Sequence, residues 1–210
     1  MKKLQVALDV FDTQTALGLL DQVAEYIDII ELGTPLMIAE GKRVVSAVKK
    51  RYPDKIVFAD IKVMDGGAIV PEIVFAEGAD MASVMAVADN ATIKGAIACA
   101  KKHGGKILVD MCSVPDIAAR AKQVDPLGPD VICVHVGTDI QSSGLSPVSE
   151  VAKLAGVSAE KAGAGGIKME TFEAACQSPL DIIIVGGGMI AQPNPREVAK
   201  AMHAILQKYR

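Results

Sequence analysis

Asp9, Glu31, Asp60, Lys62, Asp110 and His135 each stand at or just past the close of a short apolar run. A carboxylate in that position borders apolar chain, where an unpaired charge is costly, so it needs a cation or a set of donors. Lys62, two residues after Asp60, is one such cation. A divalent metal held by Glu31 and Asp60 is the other. Magnesium suits that pair, because it takes hard oxygen ligands and keeps water or substrate oxygens in its shell. His135 ends the run Val131-Ile132-Cys133-Val134, where an imidazole can trade a proton with a substrate near neutral pH. Asp9 and Asp110 taken singly could instead cap the helices that follow; capping explains neither Lys62 nor His135.

Two further runs end in glycine, at Gly165-Gly166 and Gly186-Gly187-Gly188. Bare backbone N–H groups at a helix start can bind phosphate, which points to a phosphate ester as substrate. Either group alone could simply make a tight turn. His103, in Lys-Lys-His-Gly-Gly, reads as a surface loop residue, and His203 as a packing residue on the last helix.

The elements that must position these residues recur. Eight β-branched or small apolar runs cover 4–8, 27–30, 56–59, 81–85, 107–109, 131–134, 162–164 and 182–185. Their spacing, roughly 20 to 30 residues, fits parallel strands with crossover helices. Amphipathic stretches at 13–24, 36–50, 92–102 and 196–208 supply those helices. Asp80, Asp130 and Asp181 follow the helix-stopping Gly and Pro residues and therefore belong to the opposite end of the strands. Run seven, Ala162-Gly163-Ala164, is poor in strand formers and rests on its place in the order. Eight units over residues 1–210 predict a single (β/α)8 barrel, since an open doubly wound sheet uses about five or six strands. In such a barrel the site lies at the C-terminal strand ends, which gathers the residues above into one ring.

Composition narrows the function further. The net charge of -3, 3% aromatic content and absence of Trp argue against nucleic acid as a partner. No uncharged apolar stretch reaches the roughly 20 residues of a membrane span, and the opening run is too short for a signal peptide. A cytoplasmic protein is expected. Cys99, Cys112, Cys133 and Cys176 form no CxxC pair and have no nearby His read as lying at metal spacing, so they suggest neither zinc nor a disulfide frame.

The segment Phe58-Ala59-Asp60-Ile61-Lys62-Val63-Met64-Asp65 carries Asp-x-Lys-x-x-Asp, and resembles the signature of the orotidine 5'-monophosphate decarboxylase superfamily. Ala7-Leu8-Asp9, Glu31 to Pro35, Val109 to Met111, Val134 to Asp139, Ala164 to Lys168 and Val185 to Gly188 extend the likeness over nearly the whole chain. Within the superfamily the chain is more similar to the sugar-phosphate aldolases than to the keto-gulonate phosphate decarboxylases. The latter carry arginines after strands six and eight, where this chain has His135-Val136-Gly137-Thr138-Asp139 and Gly187-Gly188, and a Glu in place of Asp110.

The resemblance implies a Mg2+-dependent aldol addition of formaldehyde to D-ribulose 5-phosphate. Glu31 and Asp60 would hold the metal, His135 would take the C1 proton, and Lys62 would stabilise the resulting charge. Asp9 and Asp110 would orient sugar hydroxyls, and Gly165, Gly166, Gly187 and Gly188 would bind phosphate. It also implies a homodimer in which Asp65 reaches Lys62 of the partner subunit. A catalytically silent barrel that binds a phosphate ester is the alternative from another class.

Overall fold

A computed structural model of the chain describes residues 1–210 apart from the side chain of Ser143. Its eight strands are β1 (Lys3–Leu8), β2 (Ile29–Leu32), β3 (Ile56–Val63), β4 (Met81–Met85), β5 (Lys106–Asp110), β6 (Val131–His135), β7 (Glu160–Ala164) and β8 (Ile182–Val185). All pair in parallel with their neighbours, and β1 also pairs with β8, which closes a (β/α)8 barrel. The helices are α1 (Thr13–Val23), α2 (Thr34–Glu40), α3 (Arg43–Arg51), α4 (Val70–Phe75), α5 (Asn90–His103), α6 (Ile117–Val124), α7 (Pro147–Glu150), α8 (Met169–Gln177), α9 (Gly187–Ile190) and α10 (Pro195–Gln207).

Alternation along each strand divides the core in two. Leu4, Val6 and Leu8 of β1 face the helices with Leu20, Val44 and Ile183, whereas Ala7, Ile29, Phe58, Met81, Leu108 and Ile182 fill the barrel itself. Phe58 is 1% exposed, and burying a ring of that size contributes about 2–3 kcal/mol. Gly163 of β7 is small for a steric reason: a Cβ there would come within 2.7 Å of Leu180 Cδ1, in the connection between α8 and β8.

The lower rim is stitched by aspartates, the three placed there by the sequence and Asp28 besides. Asp28, Asp80, Asp130 and Asp181 accept from the backbone N–H groups of Leu4, Val57, Ile107 and Lys161 respectively, each tying one strand start to the next unit. Most element ends shift by a residue or two from the sequence expectation, and some differences matter more. β2 starts two residues later than the run at 27–30, so Glu31 lies inside the strand. The helical stretch 36–50 is two helices broken at Gly41, whose φ is +62°. His103 is the last residue of α5, before the left-handed Gly104, and is not a loop residue. The third run is twice as long as expected, continuing through Asp60 and Lys62 to Val63.

That extension carries the main irregularity of the barrel. Ala59 pairs with Ala82, but the next matched pair is Val63 with Val84, so β3 holds extra residues between them. A bulge of this kind bends the strand and re-aims its side chains. Lys62 takes φ +44°, a left-handed conformation uncommon for a residue with a side chain.

Candidate active site

The bulge gathers a connected set of polar groups at the C-terminal mouth. Asp60, 6% exposed, takes hydrogen bonds from Ser83 Oγ on Oδ1 at 2.7 Å and from Thr34 Oγ1 on Oδ2 at 2.7 Å, and pairs with Lys62 Nζ. Ser83 in turn accepts from the Lys62 backbone N–H at 2.9 Å, which pins the left-handed residue in place. Lys62 Nζ also lies 3.8 Å from Asp110 Oδ2. The chain of contacts ends at His135, whose Nδ1 is 2.8 Å from that same oxygen.

Asp110 is 3% exposed, and its Oδ1 accepts from the Cys112 N–H at 2.8 Å. Burial pushes its carboxyl up, but the His135 hydrogen bond and charge outweigh this and hold it below the ordinary carboxylate value. His135 mirrors it. Burial works against the imidazolium, yet the bond to Asp110 and its charge lift the histidine above its usual value. An ionised Asp110 requires a proton on Nδ1, which leaves Nε2 of the neutral ring as a base.

Glu31 and Asp9 complete the ring. Glu31 accepts from Gln5 Nε2 on Oε2 at 2.7 Å, and burial, followed by the neighbouring Asp60 charge, raises its carboxyl well above the ordinary value. Asp9 opens to solvent beside Gly33 and Gly186. It is raised by partial burial first and by Asp60 second. Four acids thus face one lysine and one histidine. That surplus of negative charge is one that a hard divalent cation would offset. Glu31 and Asp60, on adjacent strands and offering only oxygens, fit a magnesium ion that keeps some of its waters.

None of the mouth acids is a helix cap. Asp12 caps α1 by accepting from Thr15 N, and Asp116 caps α6 by accepting from Ala119 N. The glycines divide. A Cβ on Gly165 would stand 2.1 Å from the Val136 carbonyl oxygen, and one on Gly188 2.2 Å from that of Ile167, so close backbone packing requires both. A Cβ on Gly166 or Gly187 would meet nothing nearer than 3.7 Å; the left-handed φ of +71° accounts for glycine at 166, whereas close packing does not require one at 187. Asp65 stands apart from the cluster. It is exposed and accepts from the Gly66 N–H, and its own Lys62 pairs with Asp60 and Asp110 instead.

Gln5, Thr34 and Ser83 were not among the residues singled out from sequence. Gln5 and Ser83 are wholly buried, and each is a lone polar residue within an apolar run, which is the signal that marks them.

A parallel eight-stranded barrel with acids, a lysine and a histidine gathered on its C-terminal rim has the arrangement of a barrel enzyme's active site. The chain belongs to the orotidine 5'-phosphate decarboxylase / HUMPS family, whose model matches residues 2–202. Within it, the chain is 42% identical over 206 residues to the 3-hexulose-6-phosphate synthase of Bacillus subtilis, covering 97% of this chain and 98% of that protein. The crystal structure of 3-hexulose-6-phosphate synthase from Salmonella typhimurium superposes with a TM-score of 0.95 at 37% identity, covering 99% of this chain and all of that one. The 3-keto-L-gulonate-6-phosphate decarboxylase from Vibrio cholerae gives a TM-score of 0.88 at 27% identity, covering all of this chain and 99% of that one.

Proposed function

We propose that the chain is a sugar-phosphate aldolase that adds formaldehyde to D-ribulose 5-phosphate to give 3-hexulose 6-phosphate, and runs the reverse cleavage. The observation that carries this reading is the Asp110–His135 pair beside Lys62 and Asp60. Substrate lies with its C1 hydroxymethyl carbon and C2 carbonyl over this cluster. Nε2 of His135 removes a proton from C1, and the positive charge of Lys62 faces the oxygen that becomes the enediolate. C1 then attacks the formaldehyde carbon, and the proton held by His135 goes to the new alkoxide. A fixed charge aimed at the developing oxyanion typically supplies about 3–4 kcal/mol of barrier lowering. Asp110 keeps the imidazole in the tautomer this requires, in addition to any hold on sugar hydroxyls.

Glu31 and Asp60 would bind Mg2+, which would add Lewis-acid charge beside the substrate oxygens. Asp9, at the open edge of the mouth, would hold a sugar hydroxyl. The N–H groups of Gly166 and Gly187, with Gly165 and Gly188 shaping their turns, would bind the phosphate. A homodimer fits an exposed apolar face next to the mouth. Ile38, 80% exposed, lines a cleft of about 290 Å³ with Ile61, Val70 and Ile73 that reaches Asp60, and Ile69, next to Val70 in the chain, is 70% exposed. Asp65, one residue beyond the exposed Met64, would then complete the partner's Lys62 site. No helix among the described residues is long and apolar enough to cross a membrane, and four free thiols suit the reducing cytoplasm.

The test is to incubate the purified protein with ribulose 5-phosphate and formaldehyde in the presence of Mg2+. Formaldehyde should disappear in step with hexulose phosphate formation. No loss of formaldehyde would reject the proposal, and faster carbon dioxide release from a keto-gulonate phosphate would assign the site to decarboxylation instead.

A further inference from the structure

A second cluster lies outside the barrel, away from the proposed chemistry, where the end of α5 packs against α4. Cys99 and His103 are four residues apart on α5 and so project from one face of the helix. Glu72 of α4 meets them. His103 Nε2 is 2.9 Å and Cys99 Sγ 3.6 Å from the same Glu72 oxygen, and all three donor atoms lie within 4.8 Å of one another.

We infer that Glu72, Cys99 and His103 form a binding site for a divalent cation of the zinc type, distinct from the magnesium site proposed at the barrel mouth. Zinc bonds of about 2.0–2.3 Å to N, O and S place tetrahedral ligands roughly 3.3–3.7 Å apart. The Cys99–Glu72 separation already matches, and the Glu72–His103 pair needs to open by only a few tenths of an ångström. One thiolate, one imidazole and one carboxylate form a borderline set that selects zinc over magnesium.

Three features pre-form the site. The His103 ring stacks on Phe75, at 5.8 Å between centroids and 14° between planes, which fixes its orientation. Cys99 is buried, so its sulfur approaches from the protein side, while Glu72 and His103 reach solvent and leave a fourth position for water. The ligands from α5 come from its last two turns, where the negative end of the helix dipole favours a cation. Lys102 opposes binding, since its Nζ is 3.2 Å from Glu72 and competes for the carboxylate. Binding exchanges the Cys99 thiol proton, and any proton on His103 Nε2, for the metal, so affinity should rise with pH. The ion would clamp α4 to α5.

Cobalt(II) reports on this site separately, because a thiolate ligand gives a near-ultraviolet charge-transfer band that the oxygen ligands at the mouth cannot. Co2+ is titrated into the full-length protein with Mg2+ in excess. The band should saturate at one equivalent, and Zn2+ should abolish it. Cys99→Ser should remove the band, surface His103→Gln should weaken Co2+ binding at least 10-fold, and Lys102→Met should strengthen it. Absence of the band from the wild-type protein would overturn the site. So would a band unchanged in Cys99→Ser, or, should that variant fail to fold, one unchanged in His103→Gln.

Discussion

Ser83→Ala tests how the barrel positions its chemistry. The Ser83 hydroxyl is fully buried and does two things at once, donating to Asp60 and accepting from the N–H of the left-handed Lys62. Removing it deletes a hydrogen bond to a charged group, about 1.5–3 kcal/mol, and leaves a backbone donor unpartnered, about 1 kcal/mol or more. Partial relaxation of the bulge reduces the sum, so a loss of about 2–4 kcal/mol in unfolding free energy is expected. For a chain of this size that is a fall in Tm of roughly 5–15 °C. The conformation at Lys62 costs of order 1–3 kcal/mol when nothing holds it. Its release should swing the ammonium away from the substrate oxygen, lowering kcat about 10- to 100-fold with a smaller change in KM. Calorimetry and formaldehyde consumption read the two effects. A variant that loses stability and keeps full kcat would show that Ser83 braces the fold alone. One unchanged in both would refute the pinning of Lys62.

Other consequences are open to measurement. His135→Gln should cut turnover 100-fold or more, the usual scale for a general base, while binding of ribulose 5-phosphate changes little. Because Asp110 raises His135, kcat/KM should climb with pH through an apparent value above that of an ordinary histidine. Asp110→Asn should move this limb to lower pH, and a limb that stays in place would separate the rate from His135. Gly188→Ala drives a Cβ to 2.2 Å from a backbone oxygen and should destabilise by about 1–3 kcal/mol, read by urea unfolding. At Asp125, burial pushes the carboxyl up, but donation from the Ser158 and Ala159 N–H groups holds it below the ordinary value. The stabilisation it gives is therefore present above the unfolded carboxylate value and lost as pH falls through the lower folded one. Asp125→Asn should cost about 1 kcal/mol at neutral pH, allowing for solvent screening, and the gap should close in acid.

Much of the site was legible because strand-end acids, Lys62 and His135 are chemical exceptions within apolar runs, and the barrel order alone brings them to one rim. The bulge in β3 was not. No local pattern separates Ile61 and Val63 from a regular strand, and the irregularity exists only through pairing with β4. Ser83 and Gln5 were missed although each is a lone polar residue within an apolar run, because the cross-strand partners that give them a role leave no periodicity in the chain. Sequence order placed β7 correctly despite its glycine and alanine content; the contact with Leu180 explains the glycine. The cysteines looked unremarkable because the partner of Cys99 and His103 lies on another helix, 27 positions before Cys99.

At the centre of the proposed mechanism, an Asp110-oriented His135 takes a proton from C1 of ribulose 5-phosphate. Proton NMR of that substrate in D2O, with enzyme and Mg2+ but without formaldehyde, measures this step alone. Stereospecific loss of one C1 proton signal is expected with the wild-type protein and none with His135→Gln. Exchange at an undiminished rate in His135→Gln would contradict the assignment of the base.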